Sequence, residues 1–195
     1  MANICNTTYR FNGTKEMINK FWNKLTEINV DNQSVSLLEV AEHFGIDTKD
    51  IYVRGNIYSA VKTLDNDDEN VITIYTETAW TACNMLFYKI MKQYDNEISM
   101  SYREIECGCN IFNVHDEDGF FCEECCVNAQ GEQFGEDMCD ELFDTTQSAI
   151  EFWCEQMNYV WDKEKVSKQD MLNIINTFVY EYDDTYFYIN EFDFI

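Results

Sequence analysis

At 195 residues the chain is long enough for one domain burying roughly 70% of its unfolded surface, and 46% apolar content with fourteen Phe, twelve Tyr and four Trp excludes a disordered acidic tail. Thirty-seven acids against thirteen bases leave a net charge of −24, which excludes nucleic acid, anionic membrane and other polyanions as direct partners and favours a basic protein surface. No basic-then-apolar leader opens the chain, no apolar run nears the ~18 residues of a membrane span, and nine cysteines, an odd number, read as reduced cytoplasmic thiols.

In chain order, Ile4 to Phe11 alternates as a strand with Cys5, Tyr9 and Phe11 on one face. Gly13 and Thr14 then open a helix whose Met17, Phe21, Trp22, Leu25 and Ile28 share a stripe. A short helix is expected from Leu37 to Phe44. Two strands, Ile51–Leu64 and Val71–Thr76, flank the acidic turn Asp65–Asn70, and a helix runs from Ala79 to Tyr94. Asp116-Glu117-Asp118-Gly119 reads as a hairpin turn joining a long strand, Ile98 to Val114, to a return strand, Phe120–Val127. After a polar loop, Thr145 caps a helix carrying Ile150, Trp153, Cys154, Met157 and Trp161. Ser167-x-x-Asp170 caps another with Leu172, Ile175 and Phe178 inward. An aromatic hairpin, Val179–Tyr182 and Tyr186–Phe194, closes the chain.

The order β-α-β-β-α-β, followed by further elements, predicts an α+β fold: a ferredoxin-like antiparallel sheet in split βαβ form, helices on one face, then an acidic hairpin and a C-terminal extension. A single domain is expected, with the core and long hairpin in 1–130 and the helical and aromatic extension in 131–195. Four segments carry a family resemblance. Met1-Ala2-Asn3-Ile4-Cys5-Asn6-Thr7-Thr8-Tyr9 with Gly13, then Arg54-Gly55-Asn56-Ile57 and Glu77-Thr78-Ala79-Trp80, with Asp116-Glu117-Asp118-Gly119-Phe120-Phe121 in the hairpin, resemble the YubB-type ferredoxin-like family. That resemblance implies the ferredoxin-like fold, an origin on phages, plasmids or conjugative elements, and hence a bacterial host cytoplasm. It implies no reaction, no catalytic residue and no iron–sulfur cluster.

Charge is distributed unevenly. Residues 1–64 hold seven acids and seven bases, whereas 65–195 hold thirty acids and six bases. Between Glu104 and Asp162 there is no Lys or Arg, while sixteen of fifty-nine residues are Asp or Glu and seven are Cys. Two chemistries fit this window. Cys107-Gly108-Cys109 and Cys122-Glu123-Glu124-Cys125-Cys126 place five thiols on two strands of the expected hairpin. With its turn near Glu117, position 107 faces 126 and 109 faces 124, and zinc is the ion for four thiolates from Cys107, Cys109, Cys122 and Cys125 (or Cys126). Against this, small cysteines commonly pack as apolar side chains, and Cys5, Cys83 and Cys154 sit on core faces. Four thiolates around one Zn²⁺ would still leave about −2, so a metal would not neutralise the window.

The second chemistry is polyanion mimicry. At one charge per ~1.7 Å of duplex, the charge matches roughly 40 Å of B-DNA, near the diameter of about 40 Å for a globule of this length. The expected surface acids are Glu106, Asp116, Glu117, Asp118, Glu123, Glu124, Glu136, Asp137, Asp140 and Glu141. Aromatic anchors would come from their neighbours, or from the seven aromatics of Tyr180–Ile195. Calcium-loop frames fail at Val114 and Cys125, and again at Asn70 and Thr76. With two histidines, His43 and His115, and no HExxH, GxSxG or Gly-rich phosphate loop, no enzyme is expected. The sequence therefore points to an acidic mobile-element protein that binds and inhibits a basic, nucleic-acid-handling host protein, in the manner of an anti-CRISPR or anti-restriction factor. A zinc-bearing adaptor built on the cysteines, and an enzyme of unknown chemistry, are the alternatives.

Overall fold

The alternation of the first segment forms β1 (Ile4–Gly13), whose Cys5, Thr7, Tyr9 and Phe11 are buried on one face. In the computed structural model, which describes residues 3–64, 70–95, 97–135, 137–182 and 184–195, the chain gathers into two compact units. Unit 1 comprises residues 1–121 with 194–195, and unit 2 comprises residues 122–193. Both units combine helices with sheet, so the class is α+β. Of the acidic turn expected at Asp65–Asn70, positions 65–69 lie outside the described residues, as does the candidate Glu136.

In unit 1, the Thr14 hydroxyl accepts from the Met17 N–H at 3.4 Å and starts α1 (Lys15–Thr26), which buries Ile18, Phe21 and Leu25. Met17 and Trp22, expected inward, pack only at the margin of the core. After β2 (Val35–Ser36), Ser36 caps α2 (Leu37–His43). β3 (Gly55–Leu64) starts later than the expected Ile51, and β4 (Asn70–Ala79) runs past the expected Thr76. The helix expected from Ala79 begins only at α3 (Asn84–Met91). Ala79 is still paired with Ile4, and Trp80 takes a φ of 71°, a left-handed conformation that cannot continue into a helix.

β5 (Ile98–Glu106), β6 (Ile111–His115) and β10 (Asp193–Phe194) complete a seven-stranded sheet of order β10-β6-β5-β1-β4-β3-β2. In its central part β1 pairs antiparallel with β4 and β5, and β4 antiparallel with β3. α1 and α3 cover the face carrying Tyr9 and Phe11. Tyr9 packs on Phe87 at 4.4 Å, Phe11 on Phe21 at 5.2 Å between centroids, and the Tyr9 hydroxyl donates to Asn84 Oδ1 at 2.8 Å.

The long hairpin turns at a different place from the one expected. β5 ends at Glu106, which pairs with Ile111, so Cys107–Asn110 forms the turn. The Glu106 carboxylate accepts the N–H groups of Gly108, at 2.9 Å, and of Cys109, and Asn110 takes a φ of 57°. A carboxylate capping two backbone amides fixes the turn where composition alone favoured Asp-Gly. Asp116–Phe121 is instead a loop tied to the other face of the sheet, where Asp118 accepts from Ser99 Oγ at 2.6 Å and from Asn12 Nδ2 at 3.3 Å.

Unit 2 is built on β7 (Cys125–Gln130), the central strand of a three-stranded sheet. It pairs antiparallel with β8 (Met138–Phe143) on one side and β9 (Tyr186–Glu191) on the other. β8 occupies the segment expected to be a polar loop. Val179–Tyr182 forms no strand, and β9 pairs with β7 rather than in a terminal hairpin. The two capped helices form as expected: α4 (Thr146–Gln156), capped by Thr145, and α5 (Lys168–Asn176), capped by Ser167. Trp153 is fully buried among Cys125, Val127, Ile150, Leu172 and Phe187, and its Nε1–H donates to the Tyr180 hydroxyl at 2.8 Å. Among the described residues no helix is long and apolar enough to cross a membrane.

Candidate partner-binding surface

The turn at Cys107–Asn110 rearranges the cysteines. Cys107 and Cys109 are exposed at the tip of the β5–β6 hairpin in unit 1, whereas Cys122 and Cys125 belong to unit 2. The strand pairing that was to set 107 against 126 and 109 against 124 is not formed. Positions 125 and 126 pair instead with 143 and 142 on β8 and with 191 and 190 on β9. Cys125 lies in the core of unit 2, where burial pushes its thiol up to about 11. Burial likewise raises Cys5 to about 11, and a hydrogen bond with Glu106 raises Cys109. Thiols held protonated in this way are poor nucleophiles at neutral pH. Among the described residues, no three His, Cys, Asp or Glu side chains gather as a metal site requires. His115 stacks on Tyr102 at 5.3 Å, its Nδ1 meets the Ile195 carbonyl at 3.1 Å, and its Nε2 lies 3.4 Å from Glu117.

The acids expected at the surface divide into two kinds. Glu106 is not exposed: it is 3% accessible and caps the Cys107–Cys109 turn. Asp116 is half-buried and accepts from the N–H groups of Phe120 and Phe121 at 3.0 and 2.7 Å. Burial alone would raise its pKa, but those two amides and Ser101 hold the carboxyl below its ordinary value. The same loop brings Phe121 over the Arg103 guanidinium at 5.0 Å and Phe120 over that of Arg10 at 5.1 Å. The acidic loop of unit 1 is thus held down by two bases from outside the base-free window, which sequence distance concealed. Glu117 and Asp118 are exposed at its tip.

In unit 2, Glu124, Asp137 and Glu141 are exposed and Glu123 and Asp140 half-buried. Glu124 accepts from the Thr146 N–H at 2.8 Å and Asp140 from Asn128 Nδ2 at 2.9 Å, so these two also shape local structure. Acids further along the chain join them at the surface: Glu132, Asp144, Glu155, Glu164 and Asp184 are all exposed. They were legible only as composition, because nothing in their spacing marks them.

Unit 2 holds eighteen acids against three bases, a net −15 in residues 122–193, and unit 1 nineteen against ten, a net −9. No protein-family model matches the chain, and neither a curated protein nor a solved structure matches it.

Proposed function

We propose that this is an acidic protein of a phage or other mobile element that binds a basic, nucleic-acid-handling host protein and inhibits it, with unit 2 as the charged surface. The observation that carries this reading is the concentration of uncompensated charge on unit 2. Fifteen net charges correspond to roughly 25 Å of duplex, and a globule of that length is about 29 Å across, so charge density approaches that of B-DNA. A basic cleft evolved to grip phosphates would meet carboxylates at comparable spacing, and long-range attraction would speed the encounter at low salt.

Unit 1 is read as a ferredoxin-like scaffold of the YubB type. Its central strands follow the order β5-β1-β4-β3 with antiparallel neighbours, and α1 and α3 link β1 to β3 and β4 to β5. That connectivity supports the split βαβ reading.

The test is salt-graded affinity capture from a bacterial lysate, followed by assay of the captured protein's own nucleic-acid binding. A basic protein retained at low salt, released at high salt and unable to bind its nucleic acid while captured is the expected outcome. A captured protein that keeps full nucleic-acid binding, or retention indifferent to salt, overturns the reading.

A further inference from the structure

Unit 2 carries two adjoining hollows that share Tyr182 and Thr185. One, of about 260 Å³, is aromatic, lined by Phe178, Tyr180, Tyr186 and Tyr188. The other, of about 550 Å³, is acidic, lined by Glu132, Asp137 and Asp184. The aromatic side is open to solvent although its residues are large: Tyr182 is 67% accessible and Val179 88%. It is also well anchored. Phe178 packs edge-on to Trp153 at 5.3 Å and to Tyr180 at 4.8 Å, while Tyr186 and Tyr188 stack at 5.6 Å. Rigid aromatic platforms of this kind bind at small entropic cost.

The acidic side has no counter-charge of its own. All three lysines of unit 2 are engaged elsewhere: Lys163 with Glu151 at 2.6 Å, Lys165 with Asp162 at 2.6 Å and Lys168 with Glu191 at 3.3 Å. Among the described residues, no side-chain hydrogen bond or ion pair engages Glu132, Asp137 or Asp184. The groove thus offers flat π-faces at one end and unopposed carboxylates at the other. A ligand that satisfies both must be cationic, planar and repeated along a chain. Guanidinium groups meet these conditions, stacking on tyrosine and pairing with carboxylates, whereas the compact, strongly hydrated ammonium of lysine does so less well. A second copy of this chain, itself at −24, would bring like charge to the groove.

We propose that this groove of unit 2 receives arginine side chains from an extended basic segment of the partner. The inference rests on the basic-partner reading above and names the place and side-chain chemistry of contact.

The experiment measures fluorescence anisotropy of labelled oligo-arginine and oligo-lysine peptides of equal length on the full chain. Three variants are compared with the unaltered protein: Glu132→Gln/Asp137→Asn/Asp184→Asn in the groove, Glu141→Gln/Asp144→Asn/Glu155→Gln outside it, and Tyr182→Ala. Oligo-arginine should bind tighter than oligo-lysine by about fivefold. The groove triple variant should weaken it about tenfold, and the control triple only about two- to threefold. Tyr182→Ala, at a position 67% accessible, should weaken the arginine peptide about fivefold and leave the lysine peptide nearly unchanged. It keeps the test decisive should the triple variant fail to fold. Equal losses in groove and control variants, or equal affinity for the two peptides, overturn the groove while leaving the basic-partner reading standing. Absence of binding to either peptide overturns both.

Discussion

The two units treat their carboxylates in opposite ways. Unit 1 takes acids into its interior: Glu104 is 5% accessible and Glu106 3%. Glu106 is fully used as a turn cap, while Glu104 accepts from Asn113 Nδ2 at 2.7 Å through Oε1 and leaves Oε2 buried without a partner. Unit 2 buries none of its described acids, although its density of acids is higher. Its core is built around Trp153, and its described acids are exposed or half-buried. Unit 1 thus commits Glu104 and Glu106 to its interior, whereas the described acids of unit 2 all reach the surface, some of them while also shaping local structure. A run of acids in sequence does not distinguish the two uses; strand direction and backbone capping do.

The sharpest way to separate the units is to damage one core. Trp153→Ala removes the largest fully buried side chain and leaves the Tyr180 hydroxyl without its donor. A loss of about 3–5 kcal/mol is expected, confined to unit 2. Hydrogen exchange should show β7 and β9 amides losing protection while β1 and β4 keep theirs; equal loss in both units would mean that they unfold as one. The converse variant is Gly55→Ala. Gly55 has a φ of 147°, and a Cβ there would lie 2.2 Å from the Glu77 carbonyl oxygen. Backbone strain of about 1–3 kcal/mol should fall on β3 and β4 alone, read by the same amides.

Most helices were legible because each carries its own start signal. Thr14, Thr145 and Ser167 accept the expected first-turn amide, Ser36, which the pattern did not mark, does the same, and amphipathic spacing fixed the buried face. The central sheet followed from the alternation of β1 and the order of elements. What escaped was non-local. Asp-Gly at 118–119 is a stronger local turn signal than Cys107-Gly108-Cys109-Asn110, but the latter won because Glu106 caps it, a contact no pattern rule records. From that single error came the misplaced cysteine pairing, since 122–126 then paired with 143–142 and 191–190 instead of with 107–109. The exposed acids were legible as a number and not as a place. Of the groove residues, the sequence marks Asp137 as a surface acid and the aromatics of 180–195 as a candidate patch, while no spacing distinguishes Glu132 or Asp184.

A smaller effect separates the two buried acids of unit 1. Glu106→Gln replaces a carboxylate that receives two backbone N–H groups by an amide with a single acceptor oxygen. One amide then loses its partner, at a cost of about 1 kcal/mol in unfolding free energy, read from the shift of the denaturant midpoint. Glu104→Gln keeps the bond to Asn113 and removes the demand of a buried carboxylate, so stability should hold or rise. Were both variants to destabilise equally, Glu104 would be as fully engaged as Glu106.

The smallest expected effect lies in the loop that leads out of unit 1. The Asp116 carboxyl is held below its ordinary value by the amides of Phe121 and Phe120 and by Ser101, against the opposing influence of burial. A depressed folded-state pKa stabilises the loop above the unfolded value of about 3.9, and that contribution fades as pH falls through the folded value. Exchange protection of the Phe120 and Phe121 amides should therefore be constant from neutral pH down to about 5, after correction for intrinsic rates, and weaken below about 4. Asp116→Asn should abolish this dependence and lower protection at neutral pH, because an amide oxygen is a weaker acceptor than a carboxylate. In unit 2 the exposed Glu132, Asp137 and Asp184 accept no N–H from the backbone of the described residues, so the amides beside them should show no such dependence. Acid would then loosen a contact of the fold at Asp116 that has no counterpart beside the groove acids of unit 2.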